Sequence, residues 1–141
     1  MTKHGVDDGQ IVMVSSFSGH RVPPNPSTRY FKLEISGTSS LTYIRFYAAT
    51  KFAVTGLLEG WRQEVRDLGS NIRVAAISPG LVETEFQSAM YPEDPARAAA
   101  ITSALPCLQA ADMADAVAYI LAAPKHVQIH DMLIRPTQQK Y

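Results

Sequence analysis

A single cysteine, Cys107, stands in a sequence of 141 residues. One thiol cannot form an intrachain disulfide or a multi-thiolate metal site, so both kinds of scaffold are excluded. The simplest interpretation is a small apolar side chain in or beside the core. Such sparing use of cysteine fits a reducing compartment, and we expect a cytoplasmic protein.

Charge of one sign is not in excess, because 13 Lys and Arg are balanced by 13 Asp and Glu. Nucleic acids and anionic membranes usually select a basic surface, so we expect neither as a partner. No stretch approaches the roughly 20 apolar residues that cross a bilayer, and residues 1–9 lack the apolar core of a signal peptide. With 46% hydrophobic and 18% charged residues, the composition predicts a soluble globular protein.

Short apolar runs alternate with longer amphipathic segments. Ile11–Val14 and Ile72–Ser78 are typical of strands buried on both faces of a parallel sheet, and Ile129–Ile134 predicts a third strand. Apolar residues recur every three or four positions from Phe46 to Leu68 and again after Asp112, which predicts two helices. The order strand, helix, strand, helix, strand predicts an α/β fold with right-handed crossovers.

The remaining segments have no such regular pattern. Residues 17–26 contain three prolines and predict a loop. Residues 29–45 hold two alternating runs, the second at Leu41–Ile44, around a Ser- and Gly-rich centre, which predicts a small β-hairpin. Leu81–Gln87 and Pro95–Leu105 are polar and alanine-rich and predict a flap of loop and short helices.

Tyr47 and Lys51 lie four positions apart near the start of the first predicted helix, so their side chains share one helix face. A tyrosine hydroxyl has an ordinary pKa of about 10 and exchanges protons poorly at neutral pH, but a cation one turn away favours its phenolate. The pair is therefore a candidate proton-transfer device. Because any helix can carry this spacing by chance, neighbouring motifs must decide.

Three motifs stand in order along the chain, one after each of the first two strands and one at the start of the helix between them: Ser15-Ser16-x-x-Gly19, Tyr47-x-x-x-Lys51 and Pro79-Gly80-x-x-x-Thr84. Together they resemble the catalytic half of the short-chain dehydrogenase/reductases, NAD(P)-dependent oxidoreductases with a Rossmann-like, doubly wound parallel sheet. Three strings are similar to a branch of that family that reduces ketosteroids and other carbonyl compounds with NADPH: Ser18–Val22, Ser78–Thr84 and Ile134–Thr137.

The resemblance implies a role for each motif. Ser16 would hydrogen-bond the substrate carbonyl, Tyr47 would donate a proton to its oxygen, and Lys51 would lower the pKa of the tyrosine. The cofactor NADP would be contacted by Tyr47 and Lys51 and by a wall around the nicotinamide amide made of Pro79, Gly80, Val82 and Thr84. The substrate would be a small ketone or alcohol, including steroids, under a flap at Phe86–Leu105, and no metal is implied.

Two departures from the family pattern accompany the resemblance. The sequence contains no glycine-rich turn of the kind that cradles a cofactor pyrophosphate, which predicts that the N-terminal nucleotide-binding half is missing. Ser16 and Tyr47 are 31 positions apart (47 minus 16), where the family leaves about a dozen. Removing residues 29–45 would restore that spacing, which predicts an insertion within one partial domain, residues 1–141.

Other catalytic schemes are not supported by the residues. His20, beside Arg21 in a loop, is interpreted as a solvated histidine and not as a base. A serine hydrolase needs a glycine two positions before its nucleophile, and neither Ser15 nor Ser16 has one.

Three interpretations of the chain stay open. The first is an NADP-dependent oxidoreductase in a truncated form with impaired activity. The second is a non-catalytic module, since the helix starting at Tyr47 often packs against its copy in the family, giving a homo-oligomer or pairing with a full-length member. The third is an unfolded by-product, and the unpaired edge of the first strand predicts marginal stability for the chain alone.

Overall fold

The structure, a computed structural model, describes residues 5, 7–22 and 40–140. In this part of the chain, three strands form one parallel sheet in the order β1-β2-β3. The strands are β1 (Gln10–Val14), β2 (Arg73–Pro79) and β3 (Asp131–Ile134). The predicted α/β fold with a three-stranded parallel sheet is thereby confirmed.

Four α-helices and one short 3-10 turn accompany the sheet in the described ranges. They are the turn Phe17–Gly19, α1 (Ser40–Asp67), α2 (Phe86–Met90), α3 (Pro95–Ser103) and α4 (Ala110–Ala122). Helix α1 leads from β1 to β2, and α4 precedes β3, as the predicted crossovers require. The short helices α2 and α3 occupy the segment predicted as a flap.

Helix α1 begins earlier than the sequence pattern indicated. The predicted second run of a hairpin, Leu41–Ile44, is helical, so this part of the hairpin prediction is wrong. Ile44 is half-buried and Ala48, one turn later, is fully buried. A run of only four residues fits helical spacing as well as alternation, so its pattern alone does not decide between helix and strand. Residues 29–39 lie outside the described residues, and the insertion at 29–45 stays a prediction.

The end of α1 agrees with the sequence. Gly69 has a φ of +65°, a left-handed conformation that glycine adopts without steric cost. Its N–H donates to the Arg66 carbonyl at 2.9 Å, and the Ser70 N–H donates to the Val65 carbonyl at 3.1 Å. These bonds satisfy carbonyls that the last helical turn would otherwise leave unpaired.

The core has two layers, one on each face of β2. On one face Val74 and Ala76 pack with Leu58 of α1. On the other face Ala75 and Ile77 pack with α4 through its buried residues Ala116 and Ile120. Because β2 is covered by helices on both sides, its near-continuous apolar sequence is explained.

Strand β1 pairs only with β2 among the residues that the structure describes. Its outer edge therefore presents backbone groups without a strand partner, as the sequence predicted. Val14, its last residue, is exposed. Within the same ranges, no helix combines the length and apolar character needed to cross a membrane.

Candidate active site

The three predicted motifs meet near the carboxyl ends of β1 and β2, the edge at which parallel α/β sheets usually bind ligands. The Ser15 N–H donates to the Ile77 carbonyl at 2.8 Å, which joins the segment after β1 to β2. The Thr55 hydroxyl of α1 donates to the Gly19 carbonyl at 3.2 Å. The turn after β1 is thus held between β2 and the helix that carries Tyr47 and Lys51.

Ser16 caps the 3-10 turn with its side chain. Its backbone is extended, and its Oγ accepts a hydrogen bond from the Ser18 N–H at 3.1 Å. No acceptor for its own hydroxyl hydrogen is recorded among the described residues, so this hydrogen is available to a ligand oxygen. The neighbouring Ser15 is only 5% exposed, and its Oγ has no hydrogen-bond partner in the same set of residues.

Tyr47 and Lys51 project from one face of α1, which confirms the geometry that their spacing predicted. The Lys51 Nζ lies 5.5 Å from the centroid of the Tyr47 ring, within the range of a cation–π contact. Partial burial lowers the pKa of Lys51 below its ordinary value of 10.5, because water no longer solvates the ammonium fully. The Tyr47 ring also contacts Phe86 of α2, with centroids 5.7 Å apart.

The Pro79-Gly80 turn is held by the last residues of the chain. The Gly80 N–H donates to the Ile134 carbonyl at 2.7 Å, and the Leu81 N–H donates to the Gln139 side-chain oxygen at 3.1 Å. A Cβ at Gly80 would collide with that same Gln139 oxygen, so a larger residue there would have to displace the Gln139 side chain.

The other two residues of the predicted wall follow this turn. Val82 forms an isolated parallel bridge with Leu108, and the Thr84 Oγ1 accepts from the Phe86 N–H at 3.3 Å. Nothing in the sequence marked Gln139 as a neighbour of the wall, since the contact depends on how the chain folds back after β3.

His20 is exposed, as its interpretation as a solvated histidine expects, but its ring is also held by two side-chain contacts. Its Nε2 lies 2.8 Å from the Asp131 Oδ2 and 3.1 Å from the Ser78 Oγ. Ser78 in turn donates to the same Asp131 oxygen at 3.0 Å. The partners are 58 and 111 positions away in sequence, beyond any local pattern.

The described residues fit one end of a nicotinamide cofactor. Lys51 and the Ser16 hydroxyl offer hydrogen-bond donors, and the Pro79-Gly80 turn lies at the end of β2, the strand paired with β1. A pyrophosphate needs a cradle of backbone N–H groups, usually glycine-rich, and the sequence contains no such motif. Within the described ranges, no group of three or more His, Cys, Asp or Glu side chains is arranged to hold a metal ion.

A family model described as short chain dehydrogenase matches residues 35–95. The chain is 45% identical over 139 residues to "Dehydrogenase/reductase SDR family member 11" of Gallus gallus, a match covering 99% of this chain and 48% of that protein. This chain is thus similar to short-chain dehydrogenases along nearly its whole length. "Farnesol dehydrogenase" of Aedes aegypti is 35% identical over 141 residues, covering 100% of this chain and 47% of the relative. The chain therefore spans about half the length of the curated relatives it matches.

Two solved structures of dehydrogenases resemble this chain in fold. The closed form of a serine dehydrogenase complexed with NADP+ superposes with a TM-score of 0.72 at 26% identity, covering 94% of this chain and 46% of that one. An alcohol dehydrogenase from the archaeon Thermococcus sibiricus, complexed with 5-hydroxy-NADP, gives a TM-score of 0.61 at 19% identity, covering 95% and 44%. The second likeness concerns the fold alone. The chain thus has a partial Rossmann-like fold.

Proposed function

We propose that this chain acts as an NADP-dependent oxidoreductase on carbonyl and hydroxyl groups of apolar small molecules, with ketosteroids and hydroxysteroids as the substrate class. The observation that carries the proposal is the pairing of Tyr47 with a partly buried Lys51, packed against the turn that presents Ser16. The serine dehydrogenase neighbour is complexed with NADP+, which supports the choice of cofactor.

The chemistry assigned to the residues is proton transfer and charge stabilisation. A bound nicotinamide supplies the hydride that reaches the carbonyl carbon. Tyr47 gives its phenolic proton to the carbonyl oxygen, and Ser16 donates its free hydroxyl hydrogen to the same oxygen. Lys51 favours the phenolate that remains, because a cation beside a phenol stabilises its charged form. In the direction of alcohol oxidation, the phenolate accepts the proton instead.

An apolar substrate suits the surroundings of Tyr47. Phe86 begins α2, touches the Tyr47 ring and remains partly exposed, so it offers an apolar surface beside the phenol. We propose that α2 and α3 form the flap over this surface. The farnesol dehydrogenase relative takes its name from an apolar alcohol, which supports the same substrate class.

For the 141-residue chain taken alone, we propose impaired turnover. We infer that its three strands correspond to the C-terminal half of the family's doubly wound sheet. The nicotinamide end of the cofactor has its partners here, but the pyrophosphate has no glycine-rich cradle in this sequence. Binding should therefore be weak, with a high KM for NADPH.

The experiment is NADPH oxidation by the purified chain with a ketosteroid, followed at saturating and subsaturating cofactor. We expect turnover that depends on the ketone, prefers NADPH over NADH and disappears in Tyr47→Phe. Tyr119→Phe is the matched control, because this second tyrosine lies on the exposed face of α4. Ketone-independent oxidation, or equal rates in Tyr47→Phe and the wild type, would contradict the proposal.

A second candidate function is that of a non-catalytic module which binds a full-length short-chain dehydrogenase through α1. Two large apolar side chains of α1 and the residue that follows the helix are exposed and spaced by 11 positions: Phe46 at 69%, Leu57 at 58% and Leu68 at 81%. Eleven residues make about three helical turns, so they lie on one face. An apolar stripe of this kind favours packing against another helix.

Co-purification with a full-length family member tests this second function. We expect the pair to form in the absence of nucleotide and to be lost in Leu57→Glu. Leu121→Glu, at an exposed position of α4, is the control and should leave the pair intact. Equal loss in both variants would point to general destabilisation and remove the support for this role.

A further inference from the structure

Three polar side chains meet on the face of the sheet that α1 covers, and we call them the His20–Ser78–Asp131 cluster. The His20 Nε2 lies 2.8 Å from the Asp131 Oδ2 and 3.1 Å from the Ser78 Oγ, and Ser78 donates to Asp131 at 3.0 Å. Asp131 is aligned with Ala76 in the register of β2 and β3, so Ser78 shares its side of the sheet.

The hydrogen-bond pattern sets the state of the imidazole. Because an ionised carboxylate only accepts, the His20 Nε2 must carry a hydrogen when it bonds to Asp131. The Ser78 hydroxyl is fully buried, and the Asp131 Oδ1 is shielded from water without a recorded partner in the described ranges. Removing the imidazole would leave the Asp131 Oδ2 with the Ser78 hydroxyl as its side-chain donor in these ranges, so the carboxylate would lose one of the two hydrogen bonds described above.

The cluster holds one end of the 3-10 turn. The His20 N–H donates to the Phe17 carbonyl at 3.0 Å, and the Gly19 N–H donates to the Ser16 carbonyl at 2.9 Å. Ser16 closes the other end by accepting from the Ser18 N–H. A displacement of His20 would therefore also displace Ser16, because the three-residue turn joins them through these hydrogen bonds.

We propose that His20 is a positioning residue for the Ser16 hydroxyl. By bonding to β2 through Ser78 and to β3 through Asp131, it fixes the turn after β1 and so the direction of the Ser16 side chain. The importance of that direction for turnover rests on the proposed oxidoreductase function, whereas the fixing of the turn does not. A purely stabilising role for His20 is the competing explanation.

Amide hydrogen exchange on the 141-residue chain tests the fixing of the turn without any cofactor. In His20→Ala we expect the Gly19 and residue-20 amides to exchange about tenfold faster, while the α4 amides keep their rates. In His20→Gln, whose side-chain amide can still donate, we expect most of the protection to return. His126→Ala is the matched control, because this exposed histidine lies outside the cluster. Unchanged exchange in the turn, or equal acceleration throughout the chain, would overturn the proposal.

A double-mutant cycle tests the link to Ser16. If His20 acts through the Ser16 hydroxyl, His20→Ala lowers kcat by about 10- to 100-fold in the wild type but has little further effect in Ser16→Ala. Equal effects in both backgrounds would show that His20 acts otherwise. If the wild-type chain shows no ketone-dependent NADPH oxidation, the proposed function fails, and the exchange experiment still decides whether His20 holds the turn.

Discussion

Gly19 packs directly against the backbone carbonyl of Lys51, so closely that a Cβ on the glycine would lie 2.8 Å from the carbonyl oxygen. Two motifs that are separate in sequence therefore interlock through their backbones. The glycine that ends the serine motif is explained by this contact, since a larger residue would move the turn away from α1. The relationship makes the relative placement of Ser16 and Lys51 sensitive to a single methyl group.

Gly19→Ala should separate the turn from α1. Overpacking at a backbone contact typically costs about 1–3 kcal/mol, and we expect a loss of stability in this range together with a fall in ketone-dependent turnover. Gly56→Ala is the control, because a Cβ at Gly56 would meet nothing within 4 Å. That variant should gain up to about 1 kcal/mol, since alanine suits a helix better than glycine. Urea unfolding of both variants measures the difference, and similar shifts would refute the contact's importance.

Lys51→Met should change stability in a way that depends on pH. Burial lowers the pKa of Lys51, so the cost of the buried ammonium is fully present below that lowered pKa. Between the lowered value and 10.5, the unfolded chain binds more protons than the folded chain, and the cost disappears as the pH rises. We expect Lys51→Met to unfold at a higher temperature at pH 7, with a gain that shrinks toward pH 10.5.

The measurement for Lys51 is the difference in Tm between variant and wild type at several pH values. Methionine keeps an apolar contact with the Tyr47 ring, so the substitution mainly removes the charge. Lys140→Met, at an exposed position, should leave Tm unchanged throughout. A gain that is constant with pH would mean that burial of the ammonium is not its cause.

Gln139→Ala should loosen the turn at Pro79-Gly80. The Gln139 side chain accepts the Leu81 N–H, and a net hydrogen bond of about 1 kcal/mol corresponds to roughly a fivefold change in an equilibrium constant. We expect the KM for NADPH to rise by about fivefold while kcat changes little, because the proposed wall would contact the cofactor and not the reacting carbonyl. Gln138→Ala, at the neighbouring exposed glutamine, should have no effect. A fall in kcat at constant KM would contradict this role.

Leu58→Ala should destabilise the core between α1 and β2. Leu58 is 2% exposed and packs with Val74 and Ala76, so truncation leaves a cavity that costs about 2–5 kcal/mol. The preceding Leu57 is 58% exposed, and Leu57→Ala should change stability by less than about 0.5 kcal/mol. Urea unfolding compares the two, and equal losses would show that α1 faces the sheet differently.

Several elements could be predicted because their signals are local. The unbroken apolar run of β2 indicated a strand covered on both sides, and the spacing of apolar residues from Phe46 to Leu68 indicated the helix α1. The hairpin prediction failed at Leu41–Ile44 because a run of four residues fits both the helical and the strand period, and only packing distinguishes them. Cys107 is a half-buried free thiol, as its isolation in the sequence suggested.

The sequence by itself determined the order of the elements and the shared face of Tyr47 and Lys51, because both follow from patterns within single segments of the chain. The unbroken apolar runs also indicated the parallel sheet. Tertiary structure decided what surrounds that pair. The contacts of His20 with Asp131, of Gly19 with Lys51 and of Gln139 with Leu81 join residues between 32 and 111 positions apart. They arise from sheet register and from close packing between elements, which no local pattern of residues encodes.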